Sequence, residues 1–373
     1  MLKVFNVTSD SNIGGAGKCV LTYAKYHDRS KIDLSVVIPT GSLLEPALKE
    51  LKTRYFALPN YADKSLSFKG IKEFYRLFQK EHPQIVHTHG SLSARIAARL
   101  AGVDRIIYTR HCVFEPKPFL TTPIGKWVSR LTTKLFTDKI IAVAEAAKDN
   151  IVAEGVYPDY ITVVKNGVEP LSPADPTVIS ALREKYHFKE GDFVTALVAR
   201  LHKVKGHEYY IQAAKIFKEK GLPIKCFIAG TGDEEENLKQ LANDLDVTDY
   251  VVFAGFVSNV SEIMSMIDLQ INASYGTEAT SLSLLEGMSL HKPAVVTDFG
   301  GNPGVIYPEK NGLLVPIKDG DALAKAVIRI YENEALRNQL IRGAQEVFEK
   351  EFRAEIMTRN IEQVYFDVMG GKV

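Results

Sequence analysis

Short apolar runs alternate with stretches of helical periodicity along the first half of the chain, which predicts strands and helices in turn. Strands are expected at Lys3–Thr8, Leu34–Pro39, Ile85–Thr88, Arg105–Thr109, Lys139–Ala142 and Ile161–Val164. Helical patterns fill most of the gaps, for example Ile71–Lys80 and Ala94–Ala101. This alternation describes an α/β domain whose parallel sheet is covered on both faces. Asn166-Gly167 then makes a turn, and Pro170, Pro173 and Pro176 mark a polar linker. The alternation restarts beyond it, with strands at Phe193–Arg200, Ile224–Ala229 and Val251–Phe253 and helices at Gly206–Lys218 and Glu234–Leu245. Two Rossmann-like, doubly wound domains in series are therefore predicted.

The densest pattern is NASYGTEATSLSLLEGMSLHKPAVVTDFGGNPG, Asn272 to Gly304. Leu282, Leu285 and Ser289 share a helical stripe with Leu284 and Met288 beside it, so a buried helix is expected, capped by Thr280 or Ser281. A helix start gathers free N–H groups and a positive dipole end, which suits a phosphate. Glu278 precedes this start and Glu286 lies at most about 12 Å further on at the usual rise per residue. That separation fits the two hydroxyl-bearing ends of a nucleotide sugar, each carboxylate accepting hydrogen bonds from sugar hydroxyls. Chance spacing on a helix is the competing explanation.

Composition narrows the function classes. The 373 residues carry a net charge of +1, so there is no bulk attraction to nucleic acid and phosphate binding must be local. Cys19, Cys112 and Cys226 are odd in number and far apart, which argues against a disulfide framework or a structural zinc. No apolar stretch is long enough to span a bilayer and the first residues lack the features of a signal peptide, so a cytoplasmic protein is expected.

Doubly wound sheets bind ligands beyond the carboxyl ends of their strands, which makes the strand ends informative. After the first strand, Gly14 and Gly15 open a helix. Asn12 and Cys19 break the nucleotide-triphosphate loop pattern, leaving a tight turn or a backbone loop that approaches a phosphate or acceptor. His87 and His89 share one side of a strand end and read as polar lining; no third ligand nearby supports a metal. His111 follows the strand Arg105–Thr109. In the second domain Arg200 and Lys205 follow a strand, a planar fork and a point charge suited to a diphosphate.

The string from Glu278 to Gly304 resembles the signature of the retaining family-4 glycosyltransferases, E-G-F-G-x-x-x-x-E-A-M-A-x-G-x-P-V-V-A-x-x-x-G-G-x-P-E. Arg200-Leu201 and Lys205-Gly206 match the family's G-R-L-x-x-x-K-G, with Ala199 for the glycine. Gly230 lies in a stretch similar to its glycine turn, and Phe256-Val257 in one similar to its F-x-G-x-V element, which meets the nucleotide base. The resemblance implies the GT-B architecture, with residues 1–168 and 353–373 on the acceptor side and 169–352 binding the donor. It implies donor contacts from Gly14, Gly15, Arg200, Lys205, Gly230, Phe256, Val257, Glu278, Thr280, Ser281, Leu282 and Glu286. Catalysis is implied for His111, Arg200, Lys205 and Glu278, with no metal and no cofactor. Ala279-Thr280-Ser281 departs from Gly-Phe-Gly, Gly287 from alanine and Gly304 from glutamate.

The expected activity is transfer of a hexose from a nucleotide-diphosphate sugar, UDP-linked in preference to GDP-linked, to a lipid-linked or polysaccharide acceptor in cell-envelope glycan synthesis. A catalytically silent nucleotide-sugar-binding subunit and a nucleotide-sugar epimerase are the alternatives. One motif stands apart from this reading. Ile124, Trp127, Val128, Leu131 and Leu135 share a helical face, while Lys126, Arg130 and Lys134 recur at four-residue intervals on another. A sheet-packing helix with a solvated basic side is expected; peripheral docking to an anionic membrane or to a lipid-phosphate acceptor is the alternative.

Overall fold

The structure, a computed structural model, describes residues 1–114 and 118–370; positions 371–373 of the expected C-terminal tail lie outside the described residues. Among the described residues thirteen strands run in chain order as β1 Leu2–Thr8, β2 Ile32–Pro39, β3 Arg54–Leu58, β4 Ile85–His89, β5 Arg105–Arg110, β6 Lys139–Ala142, β7 Ile161–Val163, β8 Phe193–Val198, β9 Ile224–Ala229, β10 Val251–Gly255, β11 Leu269–Asn272, β12 Ala294–Thr297 and β13 Gly312–Val315. They form two sheets, ordered β3-β2-β1-β4-β5-β6-β7 and β10-β9-β8-β11-β12-β13. Every pairing among the named strands is parallel. Both sheets are therefore doubly wound, and each reverses its strand order once, between β1 and β4 and between β8 and β11.

The chain divides into two compact units, Met1–Val168 with Ala354–Val373, and Glu169–Arg353. The first unit's sheet buries its two faces in separate clusters, Val4, Val36, Ile85 and Ile107 on one side and Phe5, Val7, Phe74 and Phe78 on the other. The final helix, Ala354–Val368, buries Met357, Ile361, Val364 and Tyr365 in the first of these. At about 1.5–3 kcal/mol for each large apolar side chain removed from water, that face fixes the tail to the first unit. Tyr365 also carries a polar tie, its hydroxyl lying 2.7 Å from Nδ1 of the fully buried His87.

β11 and β13, like β3, are strands that the pattern along the chain does not announce, and one expected strand ends early. β3 stands where no strand is predicted, because as a half-exposed edge strand it lacks a buried apolar run. The strand expected to reach Arg200 ends at Val198; beyond it the backbone bonds to the loop after β9, Leu201 N donating to Thr231 O at 3.0 Å. Removing the Tyr365 hydroxyl leaves one nitrogen of a buried imidazole without its partner. Tyr365→Phe is expected to destabilise the first unit by about 1–3 kcal/mol in urea unfolding, and an unchanged midpoint would show that the bond contributes nothing.

Candidate active site

In the second unit the reversal of strand order sets the site. β8 and β11 are neighbours, so the loops leaving their carboxyl ends rise side by side. The first carries Lys205 and the second Glu278. Two glycines make the approach close enough for a bond. Gly206, at φ +70°, has no room for a Cβ, which would fall 2.1 Å from the carbonyl oxygen of Ala273. Gly300, at φ +56°, is pressed the same way against the carbonyl of Glu278, which also accepts from Gly301 N at 3.1 Å. Tyr275 N donates to Val204 O at 2.9 Å and zips the two loops together.

The outcome is an ion pair, Lys205 Nζ to Glu278 Oε2 at 2.7 Å, with the carboxylate buried. Ser274 Oγ donates to the same oxygen at 3.0 Å, so Oε1 is committed to neither donor. Ser281 caps the helix Leu282–Ser289 by accepting from Leu284 N, and Ser283 Oγ donates to Val198 O at 2.9 Å, pinning the helix start to the end of β8. Lys205, Ser274, Glu278, Ser281 and Ser283 line one pocket. A lysine, a carboxylate and a helix start round one polar cavity can hold a phosphate-bearing ligand with hydroxyl groups at its side.

Other expected site residues are placed differently. Arg200 is exposed and forms no ion pair with a described residue. Glu286 is buried on the helix with Leu284, Leu285 and Met288, whereas Leu282 is only half-buried, so the buried face is rotated from the stripe the sequence suggests. Thr280 is half-buried beside the Ser281 cap. Gly230, at φ +146°, packs on the carbonyl of Ala199, where a Cβ would lie 1.9 Å away. Phe256 is exposed, while Val257 packs against the core near Ile263. His207, one residue after Gly206, is buried with neither ring nitrogen hydrogen-bonded, and burial, then Lys205, pushes its pKa down to about 4.

The first unit gathers histidines at its own reversal. Gly14 caps the helix Gly15–Tyr26 with ordinary extended backbone, so turn geometry does not demand a glycine there. His111, just past β5, lies with Nε2 2.7 Å from His89 Nδ1 at the end of β4, the rings stacked at 5.0 Å. His87 Nε2 in turn lies 2.6 Å from Thr109 Oγ1. Burial pushes His111 down to about 4 and His87 to about 3, and burial together with the neighbouring rings holds His89 well below the usual imidazole range. All three are neutral at pH 7, so one proton sits between His89 and His111 and couples the tautomer of one ring to that of the other. His89 is the partner the sequence reading leaves as mere lining. Among the described residues no group of three or more His, Cys, Asp or Glu is arranged to hold a metal.

The helical stretch 124–135 corrects the expectation of a sheet-packing face. In the helix Pro123–Phe136 only Gly125 is buried, and Ile124, Trp127, Leu131 and Leu135 are exposed at 69, 59, 39 and 48%. No helix among the described residues is long and apolar enough to cross a membrane.

Comparisons with known proteins agree with this architecture. Residues 178–347 match the family described as Glycosyl transferases group 1, and residues 13–170 match Glycosyltransferase Family 4. EpsD of Bacillus subtilis, named as a glycosyltransferase, is 32% identical over 272 residues, covering 69% of each chain. An Escherichia coli UDP-Gal:alpha-D-GlcNAc-diphosphoundecaprenol alpha-1,3-galactosyltransferase is 27% identical over 92% of this chain and 93% of its own. Among solved structures, Anabaena HepE in complex with UDP superposes with a TM-score of 0.84 at 20% identity, over 98% of this chain and 100% of that one.

The buried neutral histidines carry a pH signature. Each binds no proton when folded but does so when unfolded, below about pH 6.5, so stability falls as pH drops from there toward the folded values. At pH 5 each of His87, His111 and His207 costs about 2 kcal/mol on this basis. The thermal midpoint should therefore decline between pH 7 and 5, less steeply in His87→Gln; a flat profile would overturn the assignment.

Proposed function

The chain belongs to the glycosyltransferases of group 1 and family 4, with the GT-B fold, and from that premise we propose that it transfers a hexose with retention of anomeric configuration. The donor is a nucleotide-diphosphate sugar, UDP-linked in preference to GDP-linked, and the acceptor a lipid-linked or polysaccharide glycan of the cell envelope. Two kinds of relative support this. The Escherichia coli relative is named for a diphosphoundecaprenol acceptor and a UDP-sugar, and HepE is solved with UDP and with UDP-glucose.

The observation that carries the reading is the Lys205–Glu278 pair beside the Ser281-capped helix. Lys205 and the helix N–H groups face the diphosphate, and Glu278 Oε1 accepts from sugar hydroxyls. As the bond from the anomeric carbon to the phosphate oxygen breaks, charge grows on that oxygen. Donors already fixed in place stabilise this later state more than the bound donor. The acceptor oxygen bonds to the anomeric carbon on the same face, and its proton passes to the departing phosphate. Arg200, exposed and without an ion-pair partner among the described residues, is assigned to the phosphates, Glu286 to the ribose and His111 to the sugar. With the positive charge supplied by Lys205 and Arg200, the reading needs neither a metal nor a cofactor.

UDP at about a hundred times its dissociation constant should stabilise the protein by about 2.7 kcal/mol in a thermal-shift assay. Lys205→Ala and Glu278→Ala should each lower transfer, or hydrolysis of the donor, by about 10²–10³-fold. No shift with any nucleoside diphosphate would sink the donor assignment. A UDP shift with no turnover in the unsubstituted protein would instead leave a sugar-nucleotide-binding subunit, and sugar isomerisation without acceptor an epimerase.

A further inference from the structure

The helix Pro123–Phe136 has two sides, and only one of them is packed. Gly125 is pressed against the preceding turn, where a Cβ would fall 1.9 Å from the carbonyl oxygen of Phe119. The backbone of Lys126 sits on Gly155, at φ +99°, where a Cβ would lie 2.8 Å from it. Thr122 caps the helix by accepting from Gly125 N. With that side committed, Ile124, Trp127, Leu131 and Leu135 point outward within an arc of about 80° at 3.6 residues per turn. Phe119, in the short helix Pro118–Thr121, is also exposed.

Charge says what the stripe meets. Lys126, Arg130 and Lys134 run along one flank, and no acidic residue occurs from 118 to 137 in a chain whose net charge is only +1. Arg130 is held in place, its Nε donating to Gly155 O at 3.1 Å and its guanidinium 4.2 Å above the exposed ring of Tyr157. A second copy of this chain docking by the same face would bring three cations against three cations, which disfavours a symmetric dimer. An anionic bilayer surface accepts both features, with the apolar stripe at the boundary of the acyl chains and the cations among the headgroups.

We propose that the Ile124-Trp127-Leu131-Leu135 stripe and its Lys126-Arg130-Lys134 flank dock the protein on the surface of a membrane containing anionic lipid. The helix lies in the interface and does not span it. The contact is independent of donor chemistry, so its test needs no sugar nucleotide.

Trp127 is the one tryptophan of the chain and reports from the centre of the stripe. With vesicles of phosphatidylcholine containing about one third phosphatidylglycerol, its emission should shift to the blue and the full chain should co-sediment at low salt, both far less with phosphatidylcholine alone. Lys126→Ala with Lys134→Ala should weaken partition about 30-fold, from about 1 kcal/mol for each cation near the surface. Leu131→Ser with Leu135→Ser keeps the reporter and should abolish the shift. That variant should retain the unsubstituted protein's thermal response to UDP, so loss of docking is separable from loss of the donor site or of the fold. Unchanged emission together with protein left in the supernatant of anionic vesicles would overturn the proposal. So would equal binding to neutral vesicles, or a blue shift that grows with protein concentration in the absence of lipid.

Discussion

The candidate site depends on one ion pair, Lys205 with Glu278, and that pair depends on topology. The two residues lie 73 positions apart and meet because β8 and β11 are neighbours where the sheet reverses its order. Placing a carboxylate in a protein interior costs more than an exposed pair returns, unless geometry and further hydrogen bonds compensate. Here Ser274 supplies the further bond, and Gly206 and Gly300 supply the geometry by letting backbone carbonyls approach where any side chain would collide. Lys205 and Glu278 are therefore held in position by their surroundings before any ligand arrives. Preorganisation of that kind is what electrostatic catalysis requires.

What the sequence makes legible follows from which interactions are local. The alternation of strands and helices, the Ser281 cap and the two separate motifs that carry Lys205 and Glu278 are readable because each is written in a continuous stretch. The edge strand β3 is not, since a half-exposed strand has no apolar run to announce it. The bond between His89 and His111 is equally hidden. It exists only because β4 and β5 pair in a register that sets Thr88 opposite Tyr108 and leaves the residues just beyond in contact. His207 escapes notice for a different reason, because burial without a hydrogen-bond partner has no signature in residue type.

The helix Pro123–Phe136 shows where periodicity misleads. An apolar stripe on a helix says that a face is to be removed from water, and the usual inference is that the protein itself removes it. Packing here uses the glycine side, and the stripe is left outside. The same pattern of residues is compatible with either outcome, and the close contact of Gly125 with Phe119, visible only in three dimensions, decides between them.

The two units solve opposite electrostatic problems at equivalent positions. In the second unit, the loops at the strand reversal bring together charged groups that stay close to solvent on the lysine side. In the first, they bring together imidazoles that burial keeps neutral. A neutral His111 whose Nε2 is tied to His89 can offer a hydrogen bond or accept one, but it adds no charge near physiological pH.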